Sequence, residues 1–509
     1  MRDRKISLSR NQFLLVIFLA AAAGGIASFV HQVAQVAAKE SSVLDEYKDL
    51  KVFTDVLGLV ERNYVQTVEV NQLVEGAVKG MLQNLDPHSS FMNQDAYKEL
   101  QVETKGEFGG LGIEITVKDG LLTVVSPIED SPAARAGVQA GDQIIKIGDR
   151  FSKDLTLLDA VKMMRGPKGS PITLYMHREG SAELIPLTVV RDIIHVQSVR
   201  SRMLEDGFGY VRLAQFQEGS ASEFKEALNQ LPKQSTDQKL HGLVLDLRNN
   251  PGGLLTQAIK VADLFLDDGL IVYTDGRLES QKQKYYATKD GSEPSYPIVI
   301  IVNSGSASAS EIVAGAMQDS KRALVLGVQS FGKGSVQTIL PMESGAALRL
   351  TTALYYTRNG RSIQAEGIKP DVVVPNRRLP SDSEELLEED EAENPATMKE
   401  KDLPGAIRNP KKGKSSSSDN DADTNIKSQP SKGTSKKSSK GQSKSEQDRI
   451  PIGSRQAMEA DIAKLLKDDV QLEEALKMLK TLHIFQQRPQ ANQSMAQAIA
   501  KPASPKALP

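Results

Sequence analysis

The apolar run Pro297-Ile298-Val299-Ile300-Ile301-Val302 passes directly into Asn303-Ser304-Gly305-Ser306-Ala307-Ser308-Ala309-Ser310-Glu311, and no other stretch constrains this chain as much. An apolar run without a polar break reads as a buried strand, and Glu311 to Met317 then carries apolar residues at helical spacing. A small-residue turn between such a strand and helix sits at the end of a sheet, with helix N–H groups pointing near it. Serines ahead of a helix are ordinarily caps, so the turn alone does not define a chemistry. Downstream, Phe331-Gly332-Lys333-Gly334-Ser335-Val336-Gln337 is Gly-flanked and β-prone. Period-two alternation puts Lys333 and Gln337 on one face. A hydroxyl, an amine and a side chain able to orient the amine are the parts of an activated nucleophile.

With 509 residues the chain exceeds one compact domain, and two to three folded units are expected. A net charge of −2 gives no global field toward nucleic acid. The absence of cysteine excludes disulfides, thiol nucleophiles and cysteine–zinc sites. No His-Glu-x-x-His occurs either, so neither a metal nor a cofactor is expected. Arg2, Arg4, Lys5 and Arg10 precede the uncharged stretch Phe13 to Val30, the layout of a bacterial export signal. Val36-Ala37-Ala38 offers small residues for cleavage, while the apolar stretch is also long enough to span a bilayer. Residues 1–38 are therefore a signal peptide or an inner-membrane anchor at 13–30, and the remainder lies in the periplasm or cell envelope.

Residues 39–104 read as helical, with Leu50, Phe53, Val56, Leu57 and Val60, then Leu73, Val74, Ala77, Val78 and Met81, at helical spacing. The turn Leu85-Asp86-Pro87-His88-Ser89-Ser90-Phe91 interrupts them, and a short helix follows from Gln94 to Leu100. Residues 105–191 change to short β-prone runs split by glycines. Residues 192–376 alternate strands (Gly209–Leu213, Leu243–Leu247, Ile298–Val302, Ala323–Gly327) with helices (Glu223–Gln230, Leu255–Leu266, Ser310–Gln318), which argues an α/β core. Residues 377–450 lose apolar content, acidic at Asp382 to Glu393 and rich in Lys and Ser from Lys411 to Lys444, and read as a disordered linker. Within 451–488, Ile462, Leu465, Leu466, Leu472, Ala475, Leu476, Leu479 and Leu482 form an amphipathic helical stripe. That stripe must pack on the core, on a second subunit or on a partner. Residues 489–509 read as a disordered tail.

The Ser308 turn, the Lys333 loop and Asp246-Leu247-Arg248-Asn249-Asn250-Pro251-Gly252-Gly253 together resemble the carboxy-terminal processing proteases, the PDZ-containing tail-specific serine peptidases. The resemblance implies a multidomain α/β protein, a crotonase-like protease core with an inserted PDZ domain. It makes Ser308 the nucleophile, Lys333 the general base and Gln337 the residue that holds the lysine. Phe108-Gly109-Gly110-Leu111-Gly112-Ile113-Glu114-Ile115 resembles a PDZ carboxylate-binding loop, and Ser131 to Val138 with Gly141 to Ile145 fits the helix and strand that follow. A peptide would add to this sheet edge, with Gly110, Leu111, Gly112 and Ile113 on one wall and Val161 and Met164 on the other. The apolar wall favours an apolar C-terminal residue. Arg165, opening Arg165-Gly166-Pro167-Lys168-Gly169, either couples PDZ occupancy to the active site or caps its helix. The implied partners are proteins or peptides with accessible apolar C-termini, a second copy or larger homo-oligomer, an adaptor protein and the membrane at the N-terminal segment, but no nucleic acid.

A lysine acts as base only when neutral, and its ordinary pKa is about 10.4. Burial without a carboxylate partner lowers that value, so Glu311 is expected to face away from the site. An oxyanion needs two donors, for which Ala309 N–H and that of Gly252 or Gly253 are candidates. His88, in a Pro-containing turn, reads as structural, and His241 is the least implausible base for a Ser-His alternative. A catalytically silent peptide-binding scaffold is the other alternative, and Ser308, Lys333 and Gln337 together speak against it.

Overall fold

The structure is a computed structural model and describes residues 48, 50–181, 183–291, 294–375, 398–410, 462 and 464–487. The export segment, the 489–509 tail and most of the 377–450 stretch lie outside them. The chain divides into two compact units, Met1–Leu82 and Gln83–Pro509. In the first, residues 50–63 are helical and a further helix runs over Val70–Gln83, as the periodicity predicts. No described helix is long and apolar enough to cross a membrane.

The centre of the second unit is a six-stranded sheet in the order Val199–Glu205, Phe208–Leu213, Gly242–Asp246, Ile298–Val302, Leu324–Gly327 and Val372–Val373. Its first pair is antiparallel and the others are parallel. Parallel strands need both faces covered, and period-two alternation divides their side chains between two cores. Leu243, Leu245, Ile298, Ile300 and Val325 pack with the helices Ser220–Gln230, Leu255–Asp263 and Ala309–Asp319. Val244, Val299, Ile301 and Leu326 pack on the opposite face with Leu472, Ala475, Leu476 and Leu479 of the helix Val470–Gln487. The C-terminal stripe therefore covers this chain's own core. Strand and helix positions follow the sequence reading within a few residues at their ends, where caps rather than periodicity decide.

A second sheet is built on the long strand Ala347–Thr357, which pairs with Ser90–Met92, Leu270–Gly276 and Ser335–Pro341. The inserted β-rich module has its own core around Val124, Ile144, Leu174 and Met176. Helix Gln94–Lys105 is longer than expected, ending at Gly106 with φ 72°. Residues 398–410 correct the linker reading. They form a 3₁₀ turn at Glu400–Asp402 with Glu400 fully buried, because its carboxylate finds partners in the core that local composition does not reveal.

Candidate active site

Ile298–Val302 and Gly242–Asp246 are neighbouring parallel strands, so the turns leaving their carboxyl ends meet. Paired asparagines lock the two turns together. Asn303 Nδ2 donates to Asn249 Oδ1 at 2.9 Å, and Asn303 Oδ1 accepts the Asn249 and Gly305 amides at 2.9 and 3.0 Å. The flanking serines are committed to the same joint. Ser306 Oγ donates to Leu247 O at 2.8 Å and Ser310 Oγ to Asn250 O at 2.9 Å. Ser308, between them, has φ 54° and ψ −111°, an unfavourable conformation held by the surrounding bonds. It alone of the three borders a cavity of 480 Å³, which Lys333 and Gln337 also line.

Gly252 and Gly253 border the same cavity. A Cβ on Gly252 would lie 2.8 Å from Ser308 Cβ and 3.0 Å from the Ala309 nitrogen, so the turn lies flat against the elbow only as glycine. The Gly252 N–H donates to Asn250 Oδ1 at 2.9 Å. Gly252 O and the Leu254 amide both face Phe216, so the intervening Gly253 N–H is turned the other way.

Lys333 lies just ahead of the strand Ser335–Pro341. Burial lowers its pKa from 10.5, against the opposing pull of Glu400. Glu311 overturns the expectation that it faces away. It is fully buried, and its carboxylate accepts from the amides of Ser308, Gly332 and Lys333 at 2.8, 2.7 and 2.9 Å and from Ser330 Oγ. Its helix is buried from Ala309 to Met317, so no solvent-facing side exists to receive it. Burial pushes its pKa up to about 7, opposed by those four donors.

Gln337 faces the same cavity as Lys333, but its amide donates to Ser335 Oγ at 2.9 Å and Thr351 Oγ1 at 3.4 Å. A register shift between Val336 and Gln337 disturbs the simple alternation assumed for this strand. Among the described residues no hydrogen bond joins Ser308 Oγ to Lys333 Nζ, and catalytic hydrogen bonds are commonly long without substrate.

His241 is no candidate base. It precedes the strand whose far end carries Asp246, and it packs beside His483 and pairs with Asp237 at 3.0 Å. His88, read as structural, lines the Ser308 cavity and meets Glu400 Oε2 at 2.7 Å. Asp86 fixes that turn by accepting the His88 and Ser89 amides at 2.8 and 2.9 Å. Asp86-Pro87 was a legible turn signal, whereas nothing local marks Glu400.

In the β-rich module, Gly110, Leu111, Gly112, Ile113, Val161 and Met164 line one cavity of 280 Å³ together with Arg165. Gly112, at φ 74°, packs against Ser131, where a Cβ would lie 2.3 Å from that residue's own Cβ. Arg165 reaches out of the module, pairing with Glu99 and lying 5.0 Å over the Phe108 ring, and Lys162 pairs with Asp95 at 3.3 Å. Glu99 and Asp95 belong to the helix whose Leu100, Glu103 and Thr104 line the Ser308 cavity.

The family model of Peptidase family S41 matches residues 207–374, that of the activating protease CtpB N-terminal domain residues 18–96, and that of the PDZ domain residues 123–175. A carboxy-terminal-processing protease of Bartonella bacilliformis is 51% identical over 328 residues, 64% of this chain and 75% of that protein. The carboxy-terminal processing protease CtpA of Bacillus subtilis is 35% identical over 361 residues, 71% and 76% of the two chains. Among solved structures, a photosystem II D1 C-terminal processing protease is 30% identical, covering 64% of this chain and 92% of that one with a TM-score of 0.38. An elbow serine and a lysine in one cavity, beside a PDZ module, accord with these likenesses, and the chain belongs to the S41 family of carboxy-terminal processing serine proteases.

Proposed function

We propose that the protein is an exported endopeptidase that captures the C-terminal tail of a protein substrate in its Leu111–Ile113 groove and cleaves nearby by Ser308/Lys333 acyl transfer. The observation that carries this reading is the selection of Ser308. Its two neighbouring serines are spent on structural bonds, while Ser308 shares a cavity with a lysine whose pKa burial lowers. Neutral Lys333 takes the Ser308 proton as Oγ attacks the scissile carbonyl carbon. The oxyanion is held by the Ala309 and Gly253 amides, since the Gly252 amide is engaged by Asn250. Collapse breaks the C–N bond and the lysinium ion protonates the departing amine. Water then attacks the acyl-enzyme with Lys333 again as base. Gln337 shares the cavity with Lys333 and holds the lysine in place, its own amide anchored on Ser335 and Thr351. Arg165 couples groove to site through Glu99.

In the same reading, residues 105–191 are the PDZ module and 192–376 the protease core. The basic-flanked segment 13–30 directs the chain to the cell envelope, as signal or anchor. A second copy and an adaptor protein are the expected partners besides substrate.

Cleavage of an unfolded protein with an apolar C-terminus by the purified full chain tests this. Ser308→Ala and Lys333→Ala each abolish cleavage, and a serine-reactive probe labels the wild type but not Ser308→Ala. Full activity in Lys333→Ala would sink the dyad, and PDZ peptide binding without any cleavage would leave the scaffold reading.

A further inference from the structure

Residues 398–410 carry a second buried carboxylate to the Lys333 loop. Glu400 Oε1 accepts from Gln364 Nε2 at 2.8 Å, and Oε2 meets His88 Nε2 at 2.7 Å. The Glu400 N–H donates to Phe331 O at 3.2 Å, two positions before the lysine. On the other side, Gln364 Oε1 accepts the Gly334 N–H at 2.9 Å, and Gln364 Nε2 also donates to Ile407 O at 3.1 Å. The segment thus clasps the backbone on both sides of Lys333 and holds His88 on the wall of the Ser308 cavity. A purely mechanical clasp needs no charge there, and burying a carboxylate is costly without a compensating cation. Among the described residues Glu400 pairs with His88, which is cationic only when protonated.

We propose that Glu400 is a positioning residue whose charge sets the proton affinity of Lys333, which makes residues 398–410 an intrachain strap restraining the general base. The inference rests on Lys333 being that base. An ionised carboxylate favours the lysinium form and so opposes proton abstraction from Ser308. The charges that act on Lys333 agree with this sign. Burial lowers its pKa most, Glu400 raises it next, Arg349 lowers it, and Asp86 and Glu311 raise it. His88 faces the same carboxylate, so an imidazolium there weakens the hold of Glu400 on the lysine. Freeing the strap, or neutralising Glu400, releases the lysine to work at lower pH.

The test is kcat/KM against pH for the full-length wild type, Glu400→Gln, Glu400→Asp and Lys333→Ala, with thermal midpoints as a check on folding. Glu400→Gln keeps the size and hydrogen-bonding capacity of the side chain and removes its charge. Its acid limb is expected to move down by on the order of one pH unit, with a matching gain in rate below the wild-type limb. Glu400→Asp, still charged, keeps the limb near the wild-type position. An unmoved limb in Glu400→Gln, or equal shifts in both variants, overturns the inference while Lys333→Ala remains inactive. Activity lowered by the same factor at every pH, with the limb unmoved, marks the strap as a buttress and overturns it too. An active Lys333→Ala instead removes the base assignment underneath, and the inference with it.

Discussion

Ser308 and Lys333 donate their backbone amides to one and the same oxygen, Glu311 Oε2, at 2.8 and 2.9 Å. A single buried carboxylate therefore fixes the separation between the nucleophile's elbow and the lysine's loop, although the two lie on different elements. Glu311→Gln replaces an acceptor oxygen by a donor and leaves buried donors unsatisfied. A loss of kcat on the order of 100-fold is expected, because small misplacements of reacting groups carry such costs. KM for a short peptide should change little. Unfolding in denaturant below pH 4.5, where the stabilisation by Glu311 is complete, should report a loss of about 2–4 kcal/mol.

The same residue makes a pH prediction. The Glu311 pKa is raised from 4.5 to about 7, mainly by burial. The folded state then holds this proton more tightly than the unfolded state does. The stabilisation this gives is complete below pH 4.5 and is lost as pH rises through about 7. The stability of the wild type relative to Glu311→Gln should fall across that window by about 3 kcal/mol, measured by denaturant unfolding at several pH values.

Activity should show the opposite slope. Lys333 must be neutral to act as base, and burial lowers its pKa from 10.5. In the wild type kcat/KM should rise with pH along a limb centred below that value. Ser308→Ala and Lys333→Ala should each fall by on the order of 10⁴-fold or more, with no limb left to measure in Lys333→Ala.

Arg248 ties the turn bearing Gly252 and Gly253 to the C-terminal helix. Its guanidinium grips Asp246 at 2.7 Å and Asp469 at 2.7 and 2.9 Å, and Asp469 Oδ1 also accepts the Leu472 amide. Asp469→Asn keeps an oxygen for the helix cap but removes the ion pair with Arg248, and a destabilisation of about 1–3 kcal/mol is expected. Limited proteolysis should then release the C-terminal helix sooner, with kcat falling in parallel. Undiminished protection of that helix would show that its apolar face alone holds it.

Arg165 and Glu99 offer a charge-swap test of coupling. The pair is partly exposed and contributes only about 0.2–1 kcal/mol to stability, so folding should survive Arg165→Glu. Cleavage of a protein with an apolar C-terminus should drop several-fold more than cleavage of a short peptide that does not reach the groove. Adding Glu99→Arg should restore the difference. Equal losses on both substrates would leave Arg165 a packing residue.

Periodicity and turn chemistry determined much of this protein by themselves. The run Ile298–Val302 is a strand because nothing in it tolerates water, and the Ser308 turn follows because small residues allow the reversal into a helix. The glycines at 252 and 253 and the apolar helix beyond the elbow were legible for the same local reasons. Tertiary structure alone decided what each polar group meets. It turned Glu311 inward, gave Gln337 to Ser335 and Thr351, set His241 at the wrong end of its strand, and brought Glu400 beside His88. Sequence patterns report local backbone preference and burial, whereas hydrogen-bond partners separated by 312 residues depend on how distant segments pack.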